Sequence, residues 1–228
     1  MKMKRIMVLA SGGLDSSVLL HKAIKEVGPD NVIALCIYYG QKHHTEMNYC
    51  KWTCNHLKVR MITADLADVF KYDVSCSLLQ NSTVDISEGD YADQIKKGTL
   101  NTYVPFRNGL FLAYATSVAL QLDIDTIYYG AHKDDAAGNA YPDCSHEFIE
   151  HMSIAINQGS GHKVHLEAPW WNMNKADVVR KGVSLGMNRE DFEHTWSCYK
   201  GDTKPCGKCG TCIDRKKAFE ESGIYDIG

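Results

Sequence analysis

Residues 4–20, KRIMVLASGGLDSSVLL, constrain the fold more than any other stretch of the chain. An apolar run stops at two adjacent glycines, and a helix-like pattern starts at once. That is a buried parallel strand feeding a helix through a tight turn. The first turn of such a helix offers backbone N–H groups that lack intrahelical partners, and the helix dipole adds positive charge, so the turn is a cradle for phosphate. Gly12 and Gly13 let the backbone approach a ligand without a Cβ in the way. Ser11, Ser16 and Ser17 add hydroxyl donors. Asp15 is out of place in an anion site unless it serves a metal ion or caps the helix. A Walker loop needs a lysine that this turn lacks, and G-x-G-x-x-G is excluded because the glycines are adjacent. On spacing alone, an ordinary strand-to-helix turn fits as well.

The same alternation continues downstream. NVIALCIYYG, VRMITADL and TIYYGAH read as further strands. HHTEMNYCKWTCNHL, RNGLFLAYATSVALQL, EFIEHMSIAINQG and NKADVVRKGVSLGM read as helices. The order predicts an α/β fold, a parallel sheet with helices on both faces. Residues 1–190 form the expected α/β unit, and 191–228 a small cysteine-rich unit packed on it. The polar, aperiodic stretch 82–100 reads as a loop or a lid.

Net charge is −3, which argues against a protein held mainly by nucleic-acid phosphates. No apolar run reaches the roughly 18–20 residues of a membrane span. The basic, apolar N-terminus lacks a signal-peptide cleavage pattern and runs straight into the glycine turn. The nine cysteines are an odd number, and four of them cluster near the end, which favours a reducing compartment and a metal site over disulfides.

That cluster is C-x7-C-x2-C-x2-C, formed by Cys198, Cys206, Cys209 and Cys212. Short C-x2-C turns put two thiolates on one zinc ion, and Gly207 and Gly210 permit the turns. Four protein ligands leave no open position, so the zinc is structural. An iron–sulfur cluster is the competing reading. His146-Glu147 and His151 fail the H-E-x-x-H spacing by one residue. Cys50 and Cys54 share a helix face and read as packed thiols.

Two polar segments carry the remaining chemistry. Arg107 and Asn108 follow a proline-marked turn at a helix start, where a guanidinium suits a carboxylate or phosphate. GAHKDDAAGNAYPDC follows a strand, at the end where ligands bind in open parallel sheets. There Asp134, Asp135, Asp143 and Glu147 are candidates for magnesium or the nitrogen edge of a base. Tyr141 is a candidate for stacking.

S-G-G-x-D-S after an N-terminal strand resembles the loop of the N-type ATP pyrophosphatases, the PP-loop superfamily. With YVPFRNG, GAHKDDAAGNAYPDCSHEF and WSCYKGDTKPCGKCGTC, the chain is identified as similar to the 7-cyano-7-deazaguanine synthase family of the queuosine pathway, over nearly its whole length. The resemblance implies ATP-dependent conversion of 7-carboxy-7-deazaguanine and ammonia to the nitrile through an adenylated carboxylate and an amide. It also implies magnesium, one structural zinc, a homodimer and a cytoplasmic location, with no membrane or nucleic-acid partner. On the matching positions, residues 10–17 (Ala10, Ser11, Gly12, Gly13, Leu14, Asp15, Ser16 and Ser17) hold ATP, with Asp15, Ser16 and Arg107 in catalytic roles. Arg107, Asn108, Tyr141 and Asp143 face substrate on the matching motifs, with Asp134, Asp135 and Glu147 added from the reading of the polar loop, and the four cysteines hold zinc. Two departures stand out: Phe106 where many members have a small residue, and Asn139-Ala140 lengthening the loop before Tyr141. They leave room for a homologue that stops at the amide or transfers it. A tRNA-modifying PP-loop enzyme and a non-catalytic nucleotide-binding module compete with the synthase reading.

Overall fold

The computed structural model describes residues 3–96, 100–135, 140–201 and 203–224. Asn139 lies outside them. Five parallel strands form one sheet: β1 (Ile6–Leu9), β2 (Val32–Tyr38), β3 (Arg60–Asp65), β4 (Thr126–Tyr128) and β5 (His165–Glu167), in the order β3-β2-β1-β4-β5. Four of them match the strands read from the sequence. The fifth was not anticipated, because it is a three-residue edge strand with a single buried residue, Leu166.

β1 sits at the centre, with Ile6 opposite both Val32 and Thr126. Side chains alternate across a strand, so the sheet feeds two cores. Ile6, Val8, Val32 and Ala34 pack on one side against α1 (Leu14–Val27), α6 (Lys175–Leu185) and α8 (Gly210–Ser222). Met7, Ile33, Leu35 and Ile37 pack on the other against α4 (Arg107–Gln121) and α5 (His146–Gly159). Both faces of the central strands are buried, which is why they read as unbroken apolar runs.

The chain runs outward from β1 to β3, then crosses back to β4 on the other side. The carboxyl ends of β1 and β4 are therefore the switch point of the sheet, where ligands bind in this architecture. α1 starts there, and α2 (Thr45–His56) starts beyond β2.

The stretch expected as a loop carries a short helix, α3 (Tyr91–Lys96), and docks on the cysteine segment. Glu88 pairs with Cys209 in an isolated antiparallel bridge, Gly89 N donates to Lys208 O at 2.9 Å, and Lys200 Nζ reaches Glu88 Oε1 at 2.8 Å. Tyr91 packs on Gly210, where any Cβ would fall 2.7 Å from the ring. After α7 (Arg189–Glu193), α8 runs back to the core: Phe219 is fully buried and meets Phe192 edge-on. No helix among the described residues is long and apolar enough to cross a membrane.

Candidate active site

The glycine turn is locked from within and behind. Ser16 Oγ donates to Gly13 O at 3.1 Å and accepts from Ser11 N at 3.2 Å. Ser17 Oγ donates to Gly13 O at 2.9 Å, and Gly13 N donates to Ser11 Oγ at 3.1 Å. Gly12 has φ +94°, and a Cβ there would lie 2.0 Å from Glu46 O. Its own carbonyl accepts from Trp196 N at 2.9 Å. The turn is thus wedged between α2 and the segment leading to the cysteines.

The turn lines a cavity of about 250 Å³. Of the residues expected to bind ATP, Ala10, Ser11, Gly13, Leu14, Asp15 and Ser16 line it. Gly12 and Ser17 sit behind the wall and shape the turn. Of those expected at the substrate, Arg107, Asn108, Asp135 and Tyr141 line it.

The other three are placed elsewhere. Asp143 is buried beneath α4 and accepts the Asn108 N–H at 2.9 Å. That carboxylate does what Phe106 cannot: Phe106 precedes the helix with φ 54° and no side-chain cap. Asp134 accepts the Lys175 backbone N–H at 2.8 Å, at the start of α6. Glu147 is exposed in the first turn of α5. Phe106 itself is exposed and packs edge-on against Phe148, outside the cavity.

Asp15 is the electrostatic centre. Its Oδ2 lies 3.5 Å from Lys175 Nζ and 3.7 Å from His132 Nε2, while its buried Oδ1 has no hydrogen-bond partner among the described residues. Burial raises a carboxyl group's pKa, but here the attraction of Lys175, then of His132, outweighs it and holds Asp15 below its ordinary value. Burial would lower Lys175, but Asp15, Asp135 and Asp214 outweigh it and keep the ammonium charged. His132 Nε2 lies 3.4 Å from Asp135 Oδ1. Asp15 and Asp135 both line the cavity with His132 between them, and carboxylate oxygens are the hard donors that suit magnesium.

Arg107 is half-buried. Its Nη1 donates to Tyr39 Oη at 3.2 Å, and its guanidinium lies over the Tyr39 ring. Asn108 Nδ2 donates to Cys144 Sγ at 3.3 Å. Tyr141 Oη pairs with Thr102 Oγ1 at 2.7 Å.

Sequence reasoning missed several lining residues: Tyr39, Glu46, Lys175, Trp196, Tyr199 and Asp214. Lys175 opens the helix that follows the unanticipated strand, so recognising β5 would have found it. Tyr199, Thr211 and Asp214 flank the four clustered cysteines, and the cavity wall brings them to the glycine turn.

The four cysteines converge, with all their Sγ atoms within 4.8 Å of one another. Cys206 and Cys212 are 3.9 Å apart, and Cys209 and Cys212 3.5 Å. Tetrahedral zinc at 2.3 Å from each sulfur needs about 3.8 Å between sulfurs. Backbone N–H groups of Lys200, Gly201 and Cys206 point at Cys198 Sγ, at 3.0–3.3 Å. Those of Lys208 and Cys209 point at Cys206 Sγ at 3.4 Å. Such donors offset thiolate charge, so the residues fit zinc. It is the only such converging group among the described residues, and the buried Cys50 and Cys54 do not form another.

The chain is 40% identical over 222 residues to the 7-cyano-7-deazaguanine synthase of Caldicellulosiruptor saccharolyticus, covering 97% of this chain and 93% of that protein. It is 38% identical to that of Caldicellulosiruptor bescii, covering 97% and 95%. Among solved structures, the NMN synthetase of Francisella tularensis matches with a TM-score of 0.52 at 15% identity, covering 98% of this chain and 79% of that one, a likeness of fold. The family model described as "Queuosine biosynthesis protein QueC" matches residues 5–223, and the chain belongs to that family.

Proposed function

We propose that the chain is an ATP-dependent 7-cyano-7-deazaguanine synthase, joining ammonia to 7-carboxy-7-deazaguanine and dehydrating the amide to the nitrile. One observation carries the reading: a single cavity joins the phosphate-cradling turn and Asp15 to Arg107. An enzyme that activates a carboxylate with ATP needs that juxtaposition.

A carboxylate is a poor acyl donor because its leaving group would be oxide or hydroxide. Adenylation replaces that with AMP. Ser11, Gly13 and Ser16, with the free N–H groups of α1, bind the departing pyrophosphate through fixed dipoles. Lys175 adds a charge at Asp15. Arg107 orients the acid. Asp15 and Asp135 are the residues that would hold magnesium, which supplies charge neutralisation on the phosphates when bound. Ammonia displaces AMP to leave the amide; a second ATP adenylates the amide oxygen with release of pyrophosphate and one N–H proton, and elimination of AMP with the other N–H proton leaves the nitrile. Holding reactants in place supplies about 7–11 kcal/mol in favourable systems.

The four-cysteine cluster is structural in this reading, because its four thiolates fill the zinc shell. The substrates are small molecules, and the acting species is a cytoplasmic homodimer. The test is incubation with ATP, magnesium, ammonium and 7-carboxy-7-deazaguanine, with products weighed by mass spectrometry. Nitrile with AMP and pyrophosphate is expected. Amide alone, or unchanged acid, overturns it.

A further inference from the structure

We propose that Glu46 reads the hydrogen-bond-donor edge of the heterocyclic acid, a specificity role that rests on the substrate proposed for this cavity. Nothing in the sequence marks Glu46; the fold brings it to the cavity. It lies in the first turn of α2, and its backbone carbonyl is the atom against which Gly12 is wedged. Its position relative to the glycine turn is therefore fixed.

Its side chain is held as well. Glu46 Oε1 accepts from Gln41 Nε2 at 3.3 Å. Gln41 is 3% exposed, and its own Oε1 accepts the Tyr39 N–H at 2.8 Å. A buried amide thus pins one carboxylate oxygen. Among the described residues nothing donates to the other, and Glu46 lines the cavity. Arg107 lies near enough to attract this carboxylate but makes no ion pair with it within 4.0 Å among the described residues. Burial pushes Glu46 up to about 7, with Arg107 and Gln41 pulling the other way. A carboxylate in that state gains from any pair of N–H donors brought to it.

The rest of the cavity says what brings them. Tyr39, Phe111, Tyr141, Trp196 and Tyr199 supply aromatic surface suited to a flat ring system. Arg107 supplies a cation, and Glu46 an anion. A planar molecule with an acid at one end and adjacent N–H donors at the other satisfies both. 7-Carboxy-7-deazaguanine has that form, with its ring N1–H and 2-amino group side by side. One carboxylate accepts both in parallel. Adenine does not match: its amino donor sits beside a bare ring nitrogen, whose lone pair would face the carboxylate. The chemistry assigns Glu46 to the acid substrate rather than to ATP.

The test compares 7-carboxy-7-deazaguanine with the analogue lacking the 2-amino group, by calorimetric binding and by kcat/KM. The wild-type protein should prefer the full substrate by about 30–100-fold, the range of a hydrogen bond to a charged partner. Glu46→Gln and Glu46→Ala should cut that preference to below about 5-fold, with the KM for ATP unchanged. Glu46→Gln keeps the acceptor for Gln41, so near pH 4, where the wild-type carboxyl is protonated in the fold, its melting temperature should match the wild type. A preference that survives in both variants overturns the proposal, as does a rise in the KM for ATP in place of the acid. Tight, selective binding of the acid without nitrile formation would instead sink the synthase reading and leave Glu46 standing.

Discussion

Lys175 Nζ lies 3.5 Å from Asp15 Oδ2, so the helix after the last strand is tied by charge to the helix after the first. Both groups face the cavity, and each is held ionised by the other. Replacing either leaves an unbalanced charge in the cavity.

Asp15→Ala should therefore abolish pyrophosphate release while leaving the circular dichroism spectrum intact. Lys175→Met should lower turnover by about 100-fold, the usual loss for one electrostatic contact to a transition state. Pyrophosphate release measured by a coupled assay checks both. Undiminished turnover in either variant would remove that residue from the mechanism.

Gly12→Ala should be a costly small change. The added Cβ would meet Glu46 O at 2.0 Å and Cys50 N at 2.6 Å, and φ is +94°. Backbone atoms cannot step aside cheaply, so about 3 kcal/mol of stability should be lost. Gly223→Ala is the control: φ is +74° and ψ 13°, left-handed helical backbone, but nothing lies within 4 Å. It should cost about 1 kcal/mol. Urea denaturation separates the two.

Removing zinc should unseat more than the tail. Trp196 Nε1 donates to Cys198 O at 2.8 Å, and its ring meets Tyr49 at 5.3 Å. Chelation, or Cys206→Ser, should lower the melting temperature by roughly 5 °C or more, at about 2–4 °C per kcal/mol for a chain of this size. Tryptophan emission should shift as Trp196 loosens. Metal analysis should find about one zinc per chain beforehand.

The ligand-free protein should lose stability as pH rises through the range set by Glu46. Its folded pKa is pushed up to about 7 by burial, against an ordinary value of 4.5. Between those values the folded state binds more protons than the unfolded one, so its stability falls with rising pH and levels off above about 7. Glu46→Gln should flatten that slope. Thermal melts across pH 4–8 test it, and an unchanged slope would show that the carboxyl titrates normally.

The site was legible where chemistry and local pattern coincide. At Gly12-Gly13 the sequence period switches from strand to helix, and the four cysteines stand at ligand spacing. β5 was not legible, because His165 and Glu167 are exposed and Leu166 alone gives no alternation. Lys175 was lost with it. Glu46, Tyr199 and Asp214 reach the cavity through crossings of the chain that no local window records. Asp143 errs the other way: an acidic residue in a polar loop reads as a ligand contact, yet it is 3% exposed and occupied by the Asn108 N–H. Phe106 leaves that helix end uncapped, and the remedy lies far along the chain.

The seating of Tyr91 on Gly210, together with the Glu88–Cys209 bridge, makes the 85–91 segment and the cysteine turns a single piece of masonry. Chimeras that exchange one without the other should leave a breach beside Thr211 and Asp214. The two stretches must travel together in any graft between relatives.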